Sequence, residues 1–386
     1  MNDIRRTILW VIFGFSMVLL WDKWQLHNGN KATFFPSPAA VGAAAPAAGA
    51  SAPLAGAASV PASTAPAVAS IGASAVPGTP APAAPAAREK IEVTTDVYRL
   101  TFDGEGGSLT HAELLKHADM TDKAKNFVLF DESTQRVYVA QTGLIGGSFP
   151  THKTVMTAVP GPRALKDGEN ELTIRFESPE QGGVKLVKTW TLKRGAYDIA
   201  VKHEVVNVGS TAVSPQLYLQ LVRDGNKPPG ESSFYSTFTG PAVYTDAKKY
   251  QKIEFKDIEN GKVDIPKESP NGYVAMVQHY FASAWLLADG VQRELFTRKV
   301  SDNLYSVGMI TPLGNIDPGT TKAVDARLFA GPQVETMMEK LYPGLELVKD
   351  YGWLTILSKP LYWLLDQLHK LLGNWGWSIV ALVLLL

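Results

Sequence analysis

The sequence predicts a mainly β protein, one large antiparallel sandwich of two sheets, preceded by a transmembrane helix and followed by an interfacial helix and part of a second span. Three observations predict it. Ten or more β-rich runs, most of them separated by Gly, Pro, Asn or Asp turns, lie between residues 91 and 330 without helical patterns among them. Apolar segments bordered by tryptophans stand at both ends. An Ala/Pro-rich stretch without a single charge separates the first of these from the β-rich part.

Residues 7–21 read TILWVIFGFSMVLLW, with Arg5 and Arg6 before them and Asp22 and Lys23 after. Counted from Ile4 to Trp24, a helix would be roughly 31 Å long, enough to cross a bilayer core. A cleavable signal peptide has the same basic start and apolar run. Here the run closes on Trp21-Asp22-Lys23-Trp24 without a small-x-small site, which favours a retained anchor. Trp21 and Trp24 would then sit at the interface, with the two arginines on the cytoplasmic side. Ten of the 25 prolines fall between Pro36 and Pro85, and no charge occurs from Ala32 to Ala87. Proline breaks any alanine helix there, and too few large apolar groups offset the entropy of ordering. The stretch reads as a flexible tether with a reach on the order of 40 Å.

The strands are expected at 91–102, 126–131, 137–141, 171–177, 184–192, 197–208, 216–222, 273–288, 294–300, 304–311 and 322–330. Turns such as Lys193-Arg194-Gly195 and Glu259-Asn260-Gly261-Lys262 punctuate them. From Gln333 the period changes. Val334, Met337, Met338, Leu341 and Leu345 recur at three and four, which predicts a helix closing the sandwich. A second helix over 353–372 carries Trp353, Leu357, Leu361, Leu364, Leu365 and Leu368 on one side and Lys359, Asp366 and Lys370 mostly on the other. This pattern suits a helix lying in a membrane interface, with a core helix of the sandwich as the alternative. Trp353, Trp363, Trp375 and Trp377 are the expected interface anchors there. The final run SIVALVLLL gives only about 14 Å of helix after Trp377, so a truncated second span is expected, with a short apolar tail as the other reading. The organisation is thus an anchor with its flanks over 1–31, a disordered linker over 32–87, the sandwich over 88–331, a closing helix over 332–350, an interfacial helix over 351–373 and the start of a span over 374–386.

Composition excludes several functions. Lys plus Arg and Asp plus Glu each number 37, which argues against a strongly electrostatic nucleic-acid binder. Six of the basic and three of the acidic residues lie outside 88–352, which leaves that part slightly acidic. With no cysteine, disulfide scaffolds, thiolate zinc sites and cysteine catalysis are out. The seven histidines show no HExxH or similar metal spacing, and His203 and Glu204, adjacent on a strand, point to opposite faces. Gly104-Glu105-Gly106-Gly107 follows a strand without opening a convincing helix, so it reads as a hairpin bend and not a phosphate loop. No catalytic, cofactor or metal residue is expected. Lys248, Lys249, Tyr250 and Lys252 form a short basic patch that fits a solvated strand edge or a partner contact equally well.

The order of parts resembles the long Gram-negative form of the YidC-type membrane protein insertases. The specific stretches are Asp350-Tyr351-Gly352-Trp353, Ser358-Lys359-Pro360-Leu361 and Gly373-Asn374-Trp375-Gly376-Trp377-Ser378-Ile379, supported by residues 272–282 and by Leu192-Lys193-Arg194-Gly195. The resemblance implies a galactose-mutarotase-like β-supersandwich on the periplasmic side of the bacterial inner membrane, over residues about 25–373, in a multi-pass protein that inserts and folds inner-membrane proteins. The partners it implies are nascent inner-membrane proteins, the Sec translocon with its accessory subunits, and the lipid bilayer, with a ribosome contact only through parts missing from this chain. It implies no enzymatic activity, nucleotide or metal. In the family the later half of the soluble domain contacts Sec accessory subunits, here roughly 218–265 with the basic patch, and the closing helix over 333–347 couples the domain to the membrane part. The family's groove residues would lie past Leu386. A membrane-tethered carbohydrate-binding or mutarotase-like protein remains the alternative, together with a tethered scaffold.

Overall fold

A computed structural model describes residues 89–228, 237–349 and 355–385. The expected anchor with Trp21 and Trp24, the linker over 32–87 and Trp353 lie outside these residues. In chain order the first strands are β1 (Lys90–Thr94), β2 (Tyr98–Asp103), β3 (Ser108–Ala118), β4 (Asn126–Glu132) and β5 (Val137–Ile145). Next come β6 (Thr157–Ala158), β7 (Glu171–Glu177), β8 (Val184–Lys193), β9 (Asp198–Asn207) and β10 (Gln216–Asp224). The later part holds β11 (Gly240–Thr245), β12 (Lys249–Lys252), helix α1 (Phe255–Glu259), β13 (Glu268–Ser269), β14 (Tyr273–Gln278) and β15 (Phe281–Leu287). It ends with β16 (Arg293–Ser301), β17 (Leu304–Pro312), β18 (Thr321–Pro332), α2 (Glu335–Leu341), a 3₁₀ turn (Leu345–Val348), α3 (Thr355–Leu372) and α4 (Trp375–Leu385).

Among the described residues the strands form two nine-stranded sheets, ordered β1-β2-β3-β4-β5-β10-β17-β16-β13 and β12-β11-β14-β15-β18-β9-β8-β7-β6. Every ladder between them is antiparallel. Strand β7 shows why. Leu172, Ile174 and Phe176 are buried while the residues between them are exposed, the period-2 pattern of a strand with one face in the core. Strands β14 and β15 are buried on both faces and read as one apolar run.

The core lies between the sheets. Trp190 of β8 and Trp285 of β15 are fully buried with ring centroids 6.2 Å apart, and Phe102 of β2 packs on Trp190 at 5.1 Å. Burying side chains of this size contributes about 1.5–3 kcal/mol each or more. Polar groups pin the layers in register: the Trp285 indole donates to the Gln220 carbonyl at 3.1 Å, and the Tyr138 hydroxyl meets Ser283 Oγ at 2.6 Å.

The periodic stretch after Gln333 splits into α2 and the 3₁₀ turn, because Pro343-Gly344 interrupts it and Gly344 takes φ 89°. A Cβ on Gly344 would lie 2.7 Å from the Tyr244 ring, so only glycine fits. Met338, Leu345 and Val348 are buried, whereas Val334 is exposed. Arg327 donates to the Leu341 carbonyl at 2.7 Å and the Tyr273 hydroxyl to the Gly344 carbonyl at 2.8 Å, holding this segment on the second sheet.

The mainly β, two-sheet part of the expectation holds, and the transmembrane expectation is corrected for the described C-terminal helices. No helix among the described residues is long and apolar enough to cross a membrane. Helix α4 has 11 residues, about 17 Å against a core of about 30 Å. Helix α3 has 18 but carries Lys359, Asp366 and Lys370.

Candidate functional site

A cavity of about 580 Å³ opens on the first sheet, built from the faces of β5, β10, β17 and β16 that point away from the core. Period two turns Thr142 and Leu219 inward, so Gly143, Tyr218, Gln220, Gly308 and Phe296 face outward. Register sets the rows: Tyr218 lies between Gly143 and Ile310, while Gln220 and Phe296 flank Gly308. Two glycines make the hollow. A Cβ on Gly143 would run into the Tyr218 hydroxyl, and one on Gly308 would meet the Phe296 ring and stand 2.7 Å from the Leu219 carbonyl oxygen.

The rim comes from the loop after β5. His152 donates its backbone N–H to the Tyr218 hydroxyl at 2.8 Å, and its Nδ1 lies 2.6 Å from the same oxygen. Arg298 stands 5.5 Å over the Phe296 ring and donates through Nη2 to Gln220 Oε1 at 3.4 Å. The Gln220 amide donates in turn to Gln141 at 2.9 Å. Burial, with the positive charges of Lys188, Lys153 and Arg298 behind it, pushes the His152 imidazole down to about 4. Burial pushes the Tyr218 phenol up to about 12. Both are therefore neutral near pH 7, which makes the pair a structural hydrogen bond and not a poised acid and base. No Asp or Glu lines the cavity. The arrangement can bind, and it holds no second group for proton transfer.

Beneath this sheet Lys188 of β8 is fully buried and donates to the carbonyls of Gly106 and Thr142 at 2.6 and 2.7 Å. Burial lowers its ammonium to about 7. His203, opposite Lys188 in register, lies 3.0 Å from Thr142 Oγ1, and burial with the Lys188 charge takes it down to about 3. Its neighbour Glu204 points the other way, toward Lys202 at 3.0 Å, as strand alternation requires.

The residues singled out from the sequence fall elsewhere. Lys248 ends the β11–β12 turn, and Lys249, which adopts φ 57°, begins β12. Lys248 pairs with Asp264 at 2.6 Å and Lys249 with Asp246 at 3.8 Å, so the patch is a mosaic of both signs. Tyr250 is half-buried on β12, and Lys252 lies 5.5 Å over the Phe238 ring. His279 sits in the turn between β14 and β15, not in a strand, with Nδ1 2.6 Å from Thr237 Oγ1. Trp363, Trp375 and Trp377 are exposed, as are Leu371 and Leu384. Gly373 at φ 65° ends α3, and Asn374 Oδ1 accepts the N–H of Gly376 at 2.8 Å to cap α4. Among the described residues no three His, Asp or Glu side chains cluster as metal ligands.

Sequence reasoning missed the cavity, since Gly143, His152, Tyr218, Phe296 and Gly308 come from four strands and a loop. The available signal was Gly308 inside the strand pattern over 304–311, a mark of close approach to the backbone, whereas Gly143 lies past the expected end of its strand at Gln141.

Comparison with known proteins adds four findings. The family described as YidC periplasmic domain matches residues 90–364. The chain is 48% identical over 386 residues to the membrane protein insertase YidC of Janthinobacterium sp. (strain Marseille), covering 100% of this chain and 67% of that protein. It is 52% identical over 384 residues to the membrane protein insertase YidC of Cupriavidus necator, again covering 100% and 67%. Among solved structures, a galactose mutarotase related enzyme from Lactobacillus acidophilus aligns with a TM-score of 0.40 at 9% identity, over 63% of this chain and 97% of that one.

Proposed function

This chain belongs to the YidC family of membrane protein insertases, and we propose that its sandwich is the periplasmic accessory part of a protein that inserts and folds bacterial inner-membrane proteins. The identity running through the whole chain carries this reading. The family acts as an insertase and chaperone and not as an enzyme. In the proposal the whole protein is multi-pass, with residues about 25–373 on the periplasmic side or at its interface. Nascent inner-membrane proteins are its clients, and any ribosome contact belongs to parts beyond this chain. Exposed Trp363, Trp375 and Trp377 on α3 and α4 support contact with the lipid interface. The closing segment, tied to the second sheet through Arg327 and Tyr273, would couple the sandwich to the membrane part.

The edge carrying Lys248, Lys249, Tyr250 and Lys252 is the proposed contact for Sec accessory subunits. Expression of the complete protein in a bacterium depleted of its own insertase is expected to restore growth and protease-protected insertion of a small membrane protein. Failure at normal expression levels overturns the reading. Reversing Lys248, Lys249 and Lys252 to Glu should reduce copurification of Sec subunits, and unchanged copurification removes the proposed contact.

A further inference from the structure

The cavity on the first sheet has walls that say what would fill it. Its apolar surface comes from Ile145, Ile310 and Phe296, and its charges from Arg298 and Lys153 at the mouth. Among the described residues no carboxylate pairs with either cation. Two of its central polar groups are already engaged: the Tyr218 hydroxyl by His152, and the Gln220 amide by Gln141 and Arg298. A sugar needs several free donors and acceptors aimed at its hydroxyls, and this site has few to offer. An apolar body with one anionic head fits: the body replaces water on the isoleucines and the Phe296 ring, and the head meets a guanidinium that has given one nitrogen to Gln220. At about 580 Å³ the space is within the roughly 300–1,000 Å³ common for small-ligand sites. We propose that this cavity binds a single-chain amphiphilic carboxylate, the chemistry of a free fatty acid, with Arg298 and Lys153 holding the carboxylate and Ile145, Ile310 and Phe296 holding the chain.

This goes beyond the insertase function, and its test does not depend on insertion. The full chain is irradiated with a diazirine-bearing octanoate below its micelle concentration, and the labelled peptides are mapped by mass spectrometry. Labelling is expected in the peptides carrying residues 145–153 and 296–310. Unlabelled octanoate should compete, and octanol should compete at least tenfold less well. Arg298→Glu, at an exposed position, should cut the labelling about tenfold, the scale of one charge-assisted hydrogen bond. Equal competition by octanol, competition by galactose instead, undiminished labelling of Arg298→Glu, or labelling confined to α3 and α4 would each overturn the assignment.

Discussion

Lys188 and Lys248 both belong to the second sheet and its turns, and each makes a hydrogen bond of 2.6 Å, yet their surroundings differ in every other respect. Lys188 is fully buried and reaches across the seam to two backbone carbonyls. Lys248 is 39% exposed, and its partner Asp264 is 89% exposed. Arg293 resembles Lys188: it is buried and donates to the carbonyls of Gly272, Ala288, Pro270 and Val291, joining the loop before β14 to the one after β15. At the edge, water replaces a lost ion pair, so the pair adds little stability. In the interior nothing replaces the cation, and its carbonyls would be left without donors. The interior cations therefore hold the fold, while the edge can serve a partner without serving the fold.

The sharpest way to break this comparison is Arg293→Met. It should destabilise by about 3–5 kcal/mol in urea unfolding, the range for leaving a buried polar network unsatisfied. A loss below about 1 kcal/mol would put Arg293 on a par with the edge. Next, Gly308→Ala forces a Cβ against Phe296 and the Leu219 carbonyl, with an expected loss of up to about 3 kcal/mol. Its denaturation midpoint measures this, and a value matching the parent would mean the cavity wall gives way freely.

Acid supplies the third test. His203 and His152 are held near 3 and 4, below the ordinary 6.5, so the unfolded chain takes up protons that the folded one refuses. Their contribution is full above about pH 6.5 and declines as pH falls toward 4. His203 alone should account for about 2 kcal/mol lost by pH 5. His203→Gln should flatten that slope in melts at pH 7 and 5, and an unchanged slope would place the sensitivity elsewhere. The smallest effect is expected from Lys248→Ala, under about 1 kcal/mol by the same unfolding measurement. A larger loss would show that the edge contributes to the fold after all.

Legibility follows the same division between local pattern and distant contact. Strand β7 matches its sequence expectation at 171–177 because one face is solvated and alternation is visible. Strand β3 was missed: Leu109, Ala112 and Leu114 are buried, but the run SLTHAELLKHA also contains helix-forming residues, and only its neighbours β2 and β4 decide it. Strands β14 and β15 read as one run because the turn between them is His279-Tyr280, without Gly, Pro, Asn or Asp. The basic patch was visible as a charge run, yet Asp264, sixteen residues past its partner Lys248, neutralises part of it through a contact that no local pattern reveals.

The sequence by itself determined the β class, the family and the amphipathic helix, since each is written in periodicity, composition or a contiguous motif. Tertiary structure alone decided that Lys188 and Arg293 are interior pins and that a cavity opens on the first sheet. Those depend on residues tens to hundreds of positions apart, and burial and register, which fix what each side chain meets, exist only after the sheets have closed on each other.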